Sequence, residues 1–184
     1  GSVEGAQLGL LEIAGSVKGA QIGLVNVSTG DVDGAQLGLV NVAAGRVGTM
    51  VGLVNVAEYA EVPLGLLSIL TKGRTHILAS GNELGMFSLA LEHGSRRVHS
   101  IYGMSVLPFR ATKAFATTLG LGIHTEIQGT PWWVDVDLLH NAFVGKTSGL
   151  QSYAGLSTLR AIVGRELVSG VGLFGGVSGN VFTA

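Results

Sequence analysis

The sequence contains no cysteine and few prolines, and both scarcities exclude classes of structure. Without cysteine, the chain can form no disulfide, no thiolate metal site and no cysteine nucleophile, although such a chain fits an oxidising or a reducing compartment equally well. Three prolines beside 30 glycines exclude a collagen-like repeat, which needs proline at a much higher level. A structural role for glycine must therefore come from turns and close packing.

Charged residues are also scarce, and the two signs balance. Lys and Arg number 11, Asp and Glu number 12, and the formal net charge is −1. Because no basic excess could neutralise a nucleic-acid backbone, we expect no nucleic-acid partner. With 47% hydrophobic residues, the chain is too apolar to be disordered. The N-terminus lacks a basic segment followed by an apolar run, so we expect no signal peptide within this sequence.

Short, nearly identical repeats fill the N-terminal part of the chain. The motif reads GLLEIA at Gly9, GLVNVS at Gly23, GLVNVA at Gly38 and Gly52, and in degenerate form GLLSIL at Gly65. The five copies are spaced by 13 to 15 residues. A short period and high β-propensity indicate one or two strands in each repeat rather than a helix.

Two all-β arrangements fit these repeats: a β-solenoid with one coil per repeat, and an antiparallel meander that would continue into a single β-barrel. Turn sequences such as GSVKG, GDVDG and GRVGT recur at the junctions without alternating long and short connections, which favours the solenoid. Like residues would then stack about 4.8 Å apart. We expect Asn26, Asn41 and Asn55 to form a structural ladder of side-chain amides that satisfies turn backbone.

An unpaired edge of a solenoid promotes association with another chain. The degenerate fifth repeat and the residues after it are expected to cover the C-terminal edge. The N-terminal edge has no evident cap. We therefore expect either further coils upstream of this sequence or a protein partner, or self-association, through the edge or face of the solenoid.

From about Thr75 onward the repeats stop and longer alternating segments indicate β-hairpins. About seven strands and no strong helical stretch predict an antiparallel β-barrel or a strongly curved sheet. In one hairpin, a turn at Gly94-Ser95 would place Glu92 opposite Arg97 as an ion pair.

A second hairpin spans TTLGLGIHTEIQGTPWWVDVDLLH, with its turn at Gly129-Thr130. One face would carry the polar residues, and a slip of one residue would mix this face with the apolar one. The predicted cross-strand pairs are Glu126 with Trp133, His124 with Asp135, and Gly122 with Asp137.

The apolar face of this region could meet either a protein core or lipid. Strands of about ten residues, Trp132 and Trp133 near a hairpin end, and few charges are typical of a small outer-membrane barrel. The same features fit a soluble barrel packed against the solenoid. An odd number of strands and the lack of aromatic girdles at both ends argue against a membrane-spanning barrel.

The best candidate for chemistry is a polar cluster of His124, Glu126, Asp135 and Asp137 on one face, with His140 on the opposite face. Imidazole and carboxylates could bind a divalent ion or share protons. Ordinary cross-strand pairs on a wet face explain the same residues. We predict no catalytic residue, no metal, no cofactor and no enzymatic activity.

The segments VDGAQLGLVNVAAGRVGTMVGLVNVAEYAEVPLGLLSIL, ASGNELGMFSLALEHGSRRVHSIYGM and TTLGLGIHTEI together resemble bacterial cell-envelope proteins. Those proteins carry short Gly-Leu-Val-Asn-Val surface repeats ahead of a β-rich C-terminal region. The resemblance covers most of the chain and implies an exported protein on or near the outer membrane. It transfers no catalytic residue to this sequence.

The sequence thus predicts an all-β chain with a short-coil solenoid over residues 1–72 and an antiparallel barrel-like region over residues 73–184. The predicted function is a non-enzymatic envelope protein that provides a rigid binding or assembly surface at the outer membrane. The alternative is a small outer-membrane β-barrel that binds or conducts a ligand. Outer-membrane lipid is a further candidate partner, alongside the protein partner of the solenoid, if the barrel-like region meets the membrane and not a protein core.

Overall fold

The computed structural model describes residues 1–107, 114–147 and 150–183, and every regular element in these residues is a β-strand. The described chain forms a parallel β-solenoid of about five coils and a curved antiparallel sheet. The predicted fold class is therefore confirmed, and parallel pairing of the repeats excludes one continuous antiparallel barrel. Two compact units comprise residues 1–75 with 93–100, and residues 76–92 with 101–184.

In the solenoid, two strand segments of each coil pair in parallel with the equivalent segments of the next coil. Like residues lie opposite one another, for example Gln21 opposite Gln36 and Asn26 opposite Asn41. The strands are β1 (Val3–Leu8), β2 (Leu11–Ala14), β3 (Val17–Ile22), β4 (Val25–Ser28), β5 (Val32–Leu37), β6 (Val40–Ala43), β7 (Arg46–Ala57) and β8 (Tyr59–Leu70).

The interior of the solenoid combines small aliphatic columns with stacked amides. Val17, Val32 and Val47 are buried in one hydrophobic cluster. Beside them, Asn41 Nδ2 donates to Asn55 Oδ1 at 2.8 Å and to the backbone oxygen of Val51 at 2.9 Å. Each amide therefore joins neighbouring coils and also satisfies a carbonyl near the turn between the two strands of the next coil.

The glycine of each Gly-Ala-Gln triplet allows the coils to approach closely. Gly19 and Gly34 have φ angles of 130° and 144°, a region that side chains rarely adopt. A Cβ on Gly34 would also overlap the backbone oxygen of Gly19 in the coil below. The repeated triplet is thus a stacking requirement rather than a ligand motif.

The C-terminal edge of the solenoid is contacted by the segment His93–Ser100. The backbone N–H of Leu70 donates to His93 Nε2 at 3.0 Å, and Ser100 Oγ donates to the backbone oxygen of Gly65 at 3.4 Å. This segment therefore caps part of the last coil, in which the repeat motif is degenerate.

The second sheet has the strand order of a simple up-and-down meander, and the predicted number of about seven strands is confirmed. It curves into a half-barrel. Its strands are β9 (Arg74–Gly81), β10 (Phe87–Gly94), β11 (Val98–Leu107), β12 (Ala114–Glu126), β13 (Trp132–Thr147), β14 (Leu150–Val168) and β15 (Val171–Thr183).

The turn between β10 and β11 corrects one prediction. The N–H of Ser95 donates to the oxygen of Val98 at 2.8 Å, and Ser95 Oγ accepts from the N–H groups of Arg97 and Val98. The turn therefore spans residues 95–98, because the serine hydroxyl satisfies its backbone. The predicted turn at Gly94-Ser95 and the pair of Glu92 with Arg97 are wrong.

Candidate functional site: the polar interior of the curved sheet

The predicted polar residues of the β12–β13 hairpin lie in the predicted register. His124 is opposite Asp135, Glu126 is opposite Trp133, and Asp137 is opposite a glycine. His124 Nδ1 lies 2.6 Å from Asp135 Oδ1. The exposed carboxylate of Glu126 lies 3.9 Å from His124 Nε2.

The predicted four-residue cluster is divided, because Asp137 pairs with an arginine that sequence reasoning missed. Arg160 Nε donates to Asp137 Oδ2 at 2.7 Å, and Arg160 Nη2 lies 3.7 Å from Glu92 Oε1. Both carboxylates are buried. Arg160 stands among the apolar residues Leu159, Ala161, Ile162 and Val163, which was the available signal. Its partner depends on the β13–β14 register, which places it opposite Asp137.

An aromatic pair lies beside the histidine. The ring of Trp133 is centred 5.7 Å from that of His124 and 6.2 Å from that of Phe174. A Cβ on Gly164 would overlap the Trp133 ring, so this glycine makes room for the indole. The His124–Asp135 pair is thus covered by aromatic side chains, and His140 lies elsewhere, exposed and beside Ser157.

A row of hydroxyl and amide groups crosses the interior of the sheet. Ser105 Oγ lies 2.7 Å from Ser88 Oγ and 3.0 Å from Thr118 Oγ1, and Thr118 donates to Asn141 Oδ1 at 2.7 Å. These residues belong to four consecutive strands, β10 to β13. The inward side of the sheet therefore carries a row of polar contacts in addition to a buried hydrophobic cluster of Met86, Ala116, Phe143 and Leu156.

The row has a counterpart near the edge strand β15. Thr158 Oγ1 donates to Asn180 Oδ1 at 2.7 Å. The carboxylate of Glu83, in the loop between β9 and β10, accepts from Asn180 Nδ2 at 3.1 Å and from Ser178 Oγ at 3.2 Å. Side chains thus connect β15 with the β9–β10 loop at the opposite end of the strand order.

These groups surround a cavity of about 350 Å³. Its lining combines polar groups with apolar side chains that include Leu139, Ile162 and Phe174. The polar lining is supplied by Glu83, Ser88, Thr118, Asn141, Thr158, Arg160 and Ser178. A concave site with a few convergent polar groups is the usual form of a small-molecule site.

The outward side of the same sheet is apolar. Leu121, Leu138 and Leu159 lie opposite one another on β12, β13 and β14, and they are 37%, 60% and 58% exposed. The other exposed apolar side chains on the seven strands of this sheet include Ile77, Phe87, Leu89, Met104, Phe115, Ile123, Val136, Val163, Leu173, Val177 and Val181. This outer face is apolar, whereas the interior combines polar groups with buried apolar side chains.

The solenoid also exposes aliphatic side chains, although its interior contains a hydrophobic cluster. Two columns of aliphatic residues point outward on all five coils, while the amides point inward. The exposed columns are Leu8, Ile22, Leu37, Val51 and Leu64, and Leu10, Leu24, Leu39, Leu53 and Leu66. A soluble monomer rarely exposes an apolar surface of such extent.

No family model, curated protein or solved structure matches this chain. Within the described residues, no helix is long and apolar enough to cross a membrane.

The ionised groups of the interior are engaged with one another, which favours a bracing role. Asp135 contacts His124, and Asp137 contacts Arg160. Burial of these charges requires such pairing, because an isolated buried charge is costly. The hydroxyl and amide groups that line the cavity could bind a polar solute, and they need no further cofactor to do so.

Proposed function

We propose that this protein is a non-enzymatic component of the bacterial envelope that associates with the outer membrane and offers its solenoid as a rigid binding or assembly surface. The observation that carries this proposal is the row of exposed leucines on the outer face of the curved sheet, behind an interior in which hydrogen-bonded polar groups lie beside buried apolar side chains. Alternating apolar-out and polar-in residues are typical of β-strands in contact with lipid. The resemblance of the repeats to envelope proteins supports the location.

Lipid contact would remove the free-energy cost of exposing the apolar outer face to water. Apolar surface gains about 25 cal/mol for each Å² that is withdrawn from water. Leu138 and Leu159 are 60% and 58% exposed, so more than half of this gain is missing for them in water. The interior hydroxyl and amide groups of Ser105, Thr118 and Asn141 already bond to one another, so a lipid environment outside the sheet would leave these bonds intact.

We expect Leu138→Arg to weaken membrane association. Leu138 lies in the middle of a row of three leucines, and an arginine at a lipid-facing midplane position costs about 2–4 kcal/mol. In water the same substitution at a 60% exposed position would change stability by about 0.5 kcal/mol or less. The measurement is the fraction of protein retained in carbonate-washed outer membranes after exported expression.

Leu138→Ala is the matched control, since it shortens the side chain but introduces no charge. It should stay in the membrane fraction, whereas Leu138→Arg should shift to the soluble or aggregated fraction. Equal retention of both variants, or recovery of the parent protein without detergent in the soluble fraction, would overturn the proposal.

A second function is favoured by the cavity of about 350 Å³ and its hydroxyl and amide lining: a small outer-membrane unit that binds or conducts a polar solute. Proteoliposomes containing the protein should then swell in iso-osmotic arabinose. Ser178→Trp places a large ring at the cavity wall and should slow the swelling, whereas Thr125→Trp, on the opposite face, should not. Swelling no faster than that of empty liposomes would contradict this function.

A further inference from the structure

The two arms of each solenoid coil meet in a tetrapeptide of aliphatic residues and glycine. It reads LGLL at 8–11, IGLV at 22–25, LGLV at 37–40, VGLV at 51–54 and LGLL at 64–67. None of these tetrapeptides contains a charged or polar side chain. Parallel pairing of the coils stacks them in register. The five tetrapeptides therefore form one continuous apolar surface, which we call the leucine edge.

The exposure of the leucine edge is a property of the repeat and not of the ends of the solenoid. Leu24, Leu39 and Leu53 belong to coils that pair with another coil on both sides. They are nevertheless 49%, 49% and 54% exposed. Stacking of further coils would leave these side chains in contact with whatever surrounds the solenoid.

The backbone N–H groups of the leucine edge are satisfied within the solenoid. In the third tetrapeptide, the N–H of Gly38 donates to the oxygen of Val51 at 2.9 Å, and the N–H groups of Leu39 and Val40 donate to the oxygen of Leu24 at 2.9 and 3.0 Å. All three bonds join neighbouring coils. These N–H groups therefore need no water.

The carbonyl groups at the same place accept two hydrogen bonds each. The oxygen of Leu37 accepts from the N–H of Gly23 at 3.0 Å and from Asn26 Nδ2 at 3.0 Å. The oxygen of Leu39 accepts from two N–H groups of the next coil. The buried asparagines thus complete the backbone bonding beneath the leucines. Internal satisfaction of backbone groups is the condition for contact with hydrocarbon.

Charged residues lie on the same strands but away from the leucine edge. Lys18 is opposite Glu4 and Asp33 in the neighbouring coils, and its Nζ lies 3.7 Å from a Glu4 carboxylate oxygen. Lys18 precedes Ile22 by four residues, or about 13 Å of extended strand. This alternation of signs gives no basic cluster of the kind that binds anionic headgroups. The charge pattern therefore fits water at this end and a neutral, apolar partner at the leucine edge.

We propose that the leucine edge inserts among the acyl chains of a lipid bilayer. A specific protein interface carries about one hydrogen bond for each 100–200 Å², and the backbone groups of Leu37 and Leu39 that could form such bonds are already used between coils. Hydrocarbon requires no hydrogen bond. The inference names one partner of the proposed binding surface and rests on the proposed membrane association.

The test places a fluorophore on the edge and away from it. Because the chain has no cysteine, Leu39→Cys can carry a single label, and Asp33→Cys, exposed in β5 of the same coil, is the matched control. The full chain is reconstituted into vesicles of phosphatidylethanolamine and phosphatidylglycerol with a nitroxide quencher on the acyl chain or on the headgroup. The label at Leu39 should lose most of its emission to the acyl-chain quencher and be protected from iodide. The label at Asp33 should behave in the opposite way.

A double substitution of the neighbouring leucines, Leu24→Gln with Leu53→Gln, should weaken insertion of the edge by about tenfold or more, because two half-exposed leucines lose their transfer to hydrocarbon. Acyl-chain quenching at Leu39 should fall accordingly. These positions are exposed, so the fold should persist.

Three results would overturn the inference. The first is equal acyl-chain quenching at Leu39 and Asp33, and the second is quenching at Leu39 by the headgroup nitroxide alone. The third is excimer emission from pyrene at Leu39→Cys, which would show that a second copy covers the edge. Protein that remains in the vesicles with an unquenched label at Leu39 contradicts this inference only, whereas protein that does not associate with vesicles contradicts the proposed membrane association as well.

Discussion

Asn41→Asp should unfold or severely destabilise the solenoid. Asn41 is 0% exposed, and its amide nitrogen donates to Asn55 Oδ1 and to the oxygen of Val51. Aspartate replaces this donor with an acceptor, so two buried acceptors lose their partner at about 1–3 kcal/mol each. The buried charge adds to that cost. Because a whole domain is stable by only about 5–15 kcal/mol, we expect most of the stability of this unit to be lost.

The measurement is unfolding in urea, monitored through the rate of hydrogen exchange in peptides from residues 17–57. Asp33→Asn is the matched control, since it exchanges the same two residue types at an exposed position of the same coil. It should change stability by about 0.5 kcal/mol or less. Equal protection of the two variants would show that the ladder does not hold the coils together.

The stacking of the repeats could be predicted because it depends on near-identity between copies. A sequence that repeats Gly, Gln and Asn at fixed positions can place like over like only if the coils are parallel, and Gln21 does lie opposite Gln36. The register of the β12–β13 hairpin was predictable for a similar reason. Its polar and apolar residues alternate cleanly, and a slip of one residue would mix the two faces. The register that keeps the faces separate is the one with His124 opposite Asp135.

The alternation of polar and apolar residues did not predict which residues of each coil face inward. Hydrophobicity alone would bury Leu39 and expose Asn41, yet the structure does the reverse. The asparagine lies inside because its amide satisfies a neighbouring asparagine and a carbonyl near the next turn at once. That gain depends on the adjacent coil, so it is a tertiary effect that no single repeat reveals.

The candidate site was only half predictable. Pairs within the β12–β13 hairpin follow from its short turn. The partner of Asp137 and Glu92 comes from β14, and the sequence does not specify the register in which β14 pairs with β13. The β10–β11 turn also lies at a different position from the predicted one, because the Ser95 hydroxyl accepts local hydrogen bonds there. Glu92 therefore lies near Arg160 rather than opposite Arg97.

The contact of Arg160 with two buried carboxylates gives the second large expected effect. Arg160→Leu removes the guanidinium that donates to Asp137 at 2.7 Å and lies 3.7 Å from Glu92. Asp137 is 0% exposed, so water cannot replace the lost charge. Removal of one partner from a buried ion pair costs about 3–5 kcal/mol. We expect faster hydrogen exchange in β13 and β14 and unfolding at lower urea concentration.

Two control variants, Arg160→Lys and Arg165→Leu, separate the effect of the buried positive charge from the effect of losing an arginine side chain. Lysine keeps the positive charge but not the planar group that donates through Nε, so its loss of stability should lie between those of the parent and Arg160→Leu. Arg165 is an exposed arginine on the same strand, 5.6 Å from the ring of Trp132, and its leucine variant should lose at most about 1 kcal/mol. If Arg160→Leu and Arg165→Leu unfold at the same urea concentration, the buried ion pair does not brace the interior of the sheet, and the carboxylates there must be held in another way.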